Sequence, residues 1–592
     1  MFSDRPPNQF MIVAILLALS GLLFFAGLGD MGLTDRDEGR NAAAGREMFA
    51  SGDLVTPTFN GDLRVTKPVF VYWLMTLSYH VFGVNEFAAR APSALFGVLL
   101  ILMHYLFLTR LRGSTVGLFG ALMLLLNIEM LALGRMAITD SVLIFFTTLS
   151  LYGFWLGLHG SGPERHWMWG FYVGMALATL TKGPVGFLIP PLAAALYLTA
   201  TRRWTLFWQK GFPIAGTLVL LVLAGPWYAA MFIIHGDAYG TQAKVHTVGR
   251  FLAPMEGHGA GVWFYVPVVL LGFFPWSMLL PAAFYQTFKR WHEARGLRLE
   301  ERTRQNSSPS PLAPRPSSSL ELDLFAALWL IGTFVFFSLS ATRLPHYIGP
   351  LFPAASLLAA SYWSRALEDP TTKGIRGSIH AVTAVGYLLA IGFACAPTLY
   401  GKFSAKLVKE FPMAVQFDLG IGPYLAAAIL LIGMGLVGYF GLNDARRGTA
   451  FGIAGGLVAT VFLLAVFTVI PGLNRYAIAP PQELAYAAGL NLDPSDQLIA
   501  FGTPRPSLVF YARRKVLLIP SNEIDRLKTA LKHPGRTMIL LQDALLGALP
   551  KEAAAFQPVL KRHGYVLLAS QPIVSIPERA TAPAAPPKIM GH

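Results

Sequence analysis

Apolar stretches long enough to cross a lipid bilayer recur through the first 470 residues, beginning with "MIVAILLALSGLLFFAGLG". A helix needs about 20 apolar residues to span the hydrocarbon core, so this recurrence restricts the chain to polytopic membrane folds. Composition agrees: 13% of residues are charged, against about 25% in an ordinary soluble protein. The first stretch is long, lacks a strongly basic start and has no small-residue cleavage site, so it reads as a retained anchor. Thirteen spans are predicted, near 10–29, 92–109, 115–132, 141–158, 168–181, 184–200, 211–234, 263–285, 322–341, 346–363, 379–399, 421–441 and 450–471.

Orientation follows from the cations. Arg110 and Arg112, Arg165, Arg202 with Arg203 and Lys210, the run from Lys289 to Arg315, Arg365 with Lys373 and Arg376, and Arg446 with Arg447 fall on alternate connections. The positive-inside rule makes these cytoplasmic and turns residues 30–91 outward. The net charge of +15 is therefore read as loop bias, with no nucleic-acid partner. The single Cys395 excludes an intramolecular disulfide and a Cys-based metal cluster.

Three segments differ from the rest. Residues 286–320 are charged and then Ser/Pro-rich, the pattern of a mobile cytoplasmic linker. Residues 472–575 carry four short strand patterns, "DQLIAFG", "KVLLIP", "TMILLQ" and "YVLLAS", and a helix in "SNEIDRLKTALKH" with Ser521 as N-cap. They predict a small α/β domain on the outer side. Residues 576–592 are Pro/Ala-rich and read as a disordered tail. The predicted organisation is thus an all-α transmembrane domain, 1–471, followed by that outer domain and the tail.

With this orientation, ionisable residues far apart in sequence collect at the outer face. They are Asp35, Asp37, Glu38 and Arg40 in "DRDEGR", Lys67 in "VTKP", Arg135 and Asp140 in "GRMAITD", Lys182 in "LTKGP", Lys244, His246 and Arg250 in "KVHTVGR", Glu256 and His258 in "EGHG", and Arg343, His346 and Tyr347 in "TRLPHY". Charges beside apolar helices are costly, so they imply partners or function. Lysines and arginines with interspersed carboxylates suit an anionic lipid headgroup. Blander roles compete one by one. Asp37 and Glu38 could serve only as first-turn acids of a helix in "EGRNAAAGREMFASG", Lys182 could snorkel, Arg135 could pair with Asp140, and isolated histidines could be hydrogen-bonding residues.

The string "DEGRNAAAGREMFASGDLVTPTFNGDLRVTKPVFVYWL" resembles the bacterial aminoarabinose transferases and the related protein O-mannosyltransferase-like family, integral glycosyltransferases of the GT-C architecture. The likeness continues in "RMAITDS", "TLTKGPVGFLIP", "GRFLAPMEGHGAGVWFYVPVVLLGFFPW" and "TRLPHYIGPLFPAASLLA". The resemblance implies transfer of a sugar, with inversion, from an undecaprenyl-phosphate carrier to an acceptor outside the bacterial inner membrane. That acceptor is lipid A or another envelope glycan in one branch, and a protein Ser or Thr in the other. By the same resemblance Asp37, Glu38 and Asp140 are the catalytic candidates. Arg40, Lys67, Lys182, Arg250, Arg343 and Tyr347 are candidates for the donor phosphate. Residues 69–91 resemble a helix lying along the outer surface. Thr66 stands where aminoarabinose transferases place a metal-associated Glu, Asn41 where a Tyr is usual, and Arg343 where a Lys is common. His258 remains as a metal candidate; no cofactor is required, and a divalent ion is left open. A secondary transporter would need ionisable residues near the bilayer midplane and an internal repeat; here the charges lie at helix ends.

Overall fold

The computed structural model describes residues 9–35, 37–253, 261–305 and 318–571. Each of the thirteen predicted spans falls on helix. Among the described residues, eight helices are long and apolar enough to cross a membrane, or nine if the pair Val262–Gly272 and Trp276–Gly296, bent by 110°, is one span. The rest of the thirteen fall on shorter helices: α1 (Gln9–Phe25), α5 (Ser114–Leu125), α8 (Met168–Lys182) and Phe352–Glu368.

The first segment predicted to face outward is itself ordered. It forms α2 (Asp37–Ser51), a two-stranded ladder of β1 (Thr58–Phe59) and β2 (Asp62–Leu63), and α3 (Phe70–Phe82). The polar, Ala-rich α2 is buried along most of its length. Small residues permit this, since a Cβ on Gly45 would stand 2.9 Å from the Met75 Cβ of α3. The predicted surface helix over 69–91 is two elements. After Gly83 the chain turns, Asn85 caps the next helix by accepting from the Ala88 N–H at 2.8 Å, and residues 86–91 open the long α4 (Glu86–Arg112).

Two of the predicted boundaries shift. The helix beginning at Leu280 continues to Gln305, so the first half of the predicted linker is helical, and the next helix is Ser318–Leu339. Helix also runs without a break from Asp444 to Asn491, so the chain crosses position 471 inside one rod. The sheet starts at 497.

That sheet has the order β4-β3-β5-β7-β6, from β3 (Gln497–Phe501), β4 (Val516–Ile519), β5 (Thr537–Gln542), β6 (Gln557–Arg562) and β7 (Tyr565–Ala569). The two pairings of β3 are parallel and the other two antiparallel. All four predicted strands are present; β6, half-exposed and interrupted by Pro558, escapes the hydrophobic pattern. Alternation sorts the faces. Leu498, Ala500, Met538, Leu540 and Leu567 face the Ala479–Asn491 helix and the first outer segment, while Ile499, Phe501, Ile539, Leu541 and Leu568 form a second core with Leu527. The predicted helix at 521 begins at Ile524, and Ser521 does not cap it; the intervening residues form a turn.

Candidate active site

Glu38 fixes where Asp37 stands. Its Oε1 accepts Arg90 Nε at 2.7 Å and the Ala137 N–H at 2.8 Å. Its Oε2 accepts the Thr34 N–H at 2.7 Å, Thr34 Oγ1 at 2.8 Å and Arg90 Nη2 at 3.0 Å. Arg90 also donates to the carbonyls of Leu28, Met31 and Gly32. Both side chains are essentially sealed, at 0% and 3% exposure. Burial alone would push the Glu38 carboxyl up, but the Arg90 guanidinium and the N–H donors hold it below the usual carboxylate range. This knot ties α2, α4 and the loop that leads into α7 (Asp140–His159). Asn41 adds a second tie, donating to the Ala137 carbonyl at 3.1 Å.

The knot leaves Asp37 on the next position, half-buried and turned toward cations. Lys67 acts on it most strongly, followed by His346, Arg64 and Lys182, and together they hold its carboxyl far below the ordinary value. Lys67 is buried after the β1–β2 ladder. Arg64 is oriented by donating from Nε to the Tyr72 hydroxyl at 2.7 Å and from Nη2 to Asn41 Oδ1 at 2.9 Å.

Asp140 and Lys182 come from helix ends. Asp140 opens α7; Lys182 closes α8, where Gly183 at φ +68° lets Pro184 start α9 (Pro184–Thr201) without a loop. Lys182 Nζ donates to Asp140 Oδ1 at 2.6 Å and stands 4.4 Å from the centre of the Tyr347 ring. The lysine is thus held in a buried ion pair and does not snorkel. Arg135 does not pair with Asp140; it donates to the carbonyls of Leu23 and Phe24. Glu129, opening the short α6 (Ile128–Leu133), comes within electrostatic range of Asp140 from the other side.

The structure therefore brings together Asp37, Lys67, Asp140, Lys182 and Tyr347. It adds Arg64, absent from the set of ionisable residues read from the sequence, and His346, which is in that set without a site role. Arg64 lies three residues before Lys67 in "LRVTK", and that proximity was the available signal. Glu38 is set apart from the cluster: both its oxygens are occupied in the knot beside Asp37. Arg40, one turn along α2 from Asp37, is half-buried. Arg343 lies on the loop before Tyr347. It donates to the Ser338 carbonyl at 2.8 Å, and Tyr265 lies within electrostatic range of Arg343, Tyr347 and Asp140 alike. The Arg250–Leu252 backbone is joined to the Arg343 loop through Phe251 O and Ala341 N, 2.9 Å apart; the Arg250 side chain, Glu256 and His258 lie outside the described residues. Among the described residues no three His, Cys, Asp or Glu side chains form a group that could hold a metal. A Thr66 hydroxyl is a weak substitute for a carboxylate ligand.

Three cations, a histidine, a tyrosine and two carboxylates thus gather at one end of an apolar bundle, charges of the kind that suit an anionic group. The dolichyl-phosphate-mannose-protein mannosyltransferase family matches residues 38–239. An uncharacterised Aquifex aeolicus protein is 29% identical over 69% of this chain and 72% of its own length. The undecaprenyl phosphate-α-4-amino-4-deoxy-L-arabinose arabinosyl transferase of Pseudomonas paraeruginosa is 29% identical over 70% of each chain. The crystal structure of ArnT from Cupriavidus metallidurans bound to undecaprenyl phosphate superposes with a TM-score of 0.76, covering 96% of this chain and 99% of that one at 24% identity. These comparisons support a GT-C glycosyltransferase of the aminoarabinose transferase-like kind, with a likeness to the protein mannosyltransferases over residues 38–239.

Proposed function

We propose that the chain moves a sugar from an undecaprenyl-phosphate-linked donor to an acceptor on the periplasmic side of the bacterial inner membrane, with inversion at the anomeric carbon. The acceptor in this reading is lipid A or another envelope glycan. The observation that carries it is the convergence of Lys67 and Lys182 on the two carboxylates Asp37 and Asp140. Lys182, Lys67 and Arg64 neutralise the donor phosphate, and Tyr347, Arg40, Arg250 and Arg343 complete its surroundings. As the glycosidic bond breaks, charge builds on the departing polyprenyl phosphate, and fixed cations in a poorly hydrated site stabilise it there. Asp37, ionised throughout, faces the carbon from which the phosphate leaves. For a phosphate acceptor no base is needed, and Asp37 orients the nucleophile and offsets positive charge developing at the sugar. For a hydroxyl acceptor it takes the proton. The donor set does not favour a divalent metal, and no step runs through one.

The mannosyltransferase match over residues 38–239 supports a second reading, in which the acceptor is a Ser or Thr hydroxyl of a secreted protein. The two separate in one experiment. Purified protein in vesicles is given undecaprenyl-phosphate sugars together with lipid A or an unfolded Ser/Thr-rich peptide, and products are weighed by mass spectrometry. Transfer to lipid A that disappears in Asp37→Asn is expected. Transfer only to the peptide selects the second reading, and no transfer from any polyprenyl-phosphate sugar defeats both.

A further inference from the structure

Far from Asp37, at the opposite end of the same bundle, three arginines crowd one aspartate. Asp323, 1% exposed in its helix, accepts Arg112 Nη2 at 2.8 Å on Oδ1 and Arg365 Nη1 at 2.6 Å on Oδ2. Two guanidinium groups already overbalance one carboxylate. The third, Arg290, lies within electrostatic range of Arg112, Arg365 and Asp323. The other acid near it is Glu293, 3.7 Å from Lys289. Arg112, Arg290 and Arg365 against Asp323 leave a surplus of two positive charges. Arg365 Nε and Nη2 and Arg112 Nε are buried without a hydrogen-bond partner. A purely structural bridge explains Arg112 and Arg365 on Asp323. It explains neither a third guanidinium within electrostatic range of two like charges nor three buried donors without acceptors.

We infer that this cluster binds a phosphate group, the headgroup phosphate of an anionic lipid of the cytoplasmic leaflet. A phosphate offers several anionic oxygens that planar guanidinium forks can engage in pairs. Its negative charge offsets part of the surplus. Basic pockets between helix ends on the cytoplasmic side are where such headgroups are held. The surroundings favour a lipid over a free anion: Leu106 on α4 and Tyr285 and Phe288 on the Leu280–Gln305 helix expose apolar side chains a turn or two before the arginines, a surface for acyl chains.

The test uses the full chain and two variants at Arg290, the arginine least tied into the bridge. Purified protein is exposed to phosphatidylglycerol or phosphatidylcholine and retained lipid is counted by native mass spectrometry, with inorganic phosphate as a separate thermal-shift arm. Phosphatidylglycerol is expected to be retained over phosphatidylcholine, with about tenfold loss in Arg290→Gln. Arg290→Glu supplies the missing anion from within, so it should lose the lipid while melting no lower than the delipidated parent. That outcome separates binding from folding. Equal retention of the two lipids, or equal phosphatidylglycerol retention by parent and both variants, overturns the site. Stabilisation by inorganic phosphate, lost in Arg290→Gln, without selective lipid retention overturns the lipid assignment in favour of a free phosphate.

Discussion

Replacing Glu38 by Gln separates positioning from chemistry in the two adjacent acids. The side chain keeps its shape but loses its charge, and its amide nitrogen replaces one of two accepting oxygens. Glu38 accepts five hydrogen bonds, so whichever oxygen is replaced, at least two are lost. Bonds to a charged partner contribute about 1.5–3 kcal/mol each, while breaking one side of a buried ion pair costs about 3–5 kcal/mol. Arg90 keeps the carbonyls of Leu28, Met31 and Gly32, which softens the loss. The expected destabilisation is therefore about 3 kcal/mol, at the low end of that range. The assay is the midpoint for loss of monodisperse protein on heating in detergent, set beside the transfer rate measured well below that midpoint. Glu38→Gln should melt several degrees lower, and Asp37→Asn, which gives up only the stability carried by a half-buried charge, should melt less far below the parent while losing transfer by at least about a hundredfold. If Glu38→Gln melts with the parent yet is inactive, Glu38 contacts the reactants and the knot is not its purpose.

Three other outcomes are expected. Lys182→Met removes a phosphate contact and strands Asp140, so the donor KM should rise at least tenfold; an unchanged KM removes Lys182 from the donor site. In the parent the Asp37 carboxyl lies below its unfolded value of 3.8, so its ionisation, and the stability that goes with it, is complete above that value and is lost only as pH falls through the lower folded one. No acid limb from Asp37 is therefore expected between pH 5 and 8 in the parent. Lys67→Met removes its strongest cation, lets burial raise it and moves the acid limb upward; superimposable pH–rate profiles would count against this. Gly39→Ala places a Cβ 2.7 Å from the Ser507 N, so hydrogen exchange over Ser507–Ala512 should quicken, and unaltered exchange would show that the contact is not tight.

The helices and four of the five main strands were legible because hydrophobic period and run length are local. So was the gathering of Asp37, Lys67, Asp140 and Lys182, since the predicted topology put all four on one side. The different fates of two adjacent acids were not legible. Which of Asp37 and Glu38 meets a buried arginine depends on Arg90, some fifty residues away and one turn into α4. Arg64 was hidden for the same reason, since its orientation needs Asn41 and Tyr72 together. The unbroken helix to Asn491 was missed because the composition changes at 471 while the backbone does not.

Asp35, two residues before Asp37, accepts the Ser507 N–H at 3.2 Å and Ser507 Oγ at 2.5 Å, and Tyr511 reaches back to the Leu33 N–H and to Glu86. The helix Ser507–Ala512 of the carboxy-terminal unit is thus keyed into the strap that carries Asp37. A chimera that exchanges this unit for a cousin's must transplant residues 30–39 with it, or Asp37 will lose its seat.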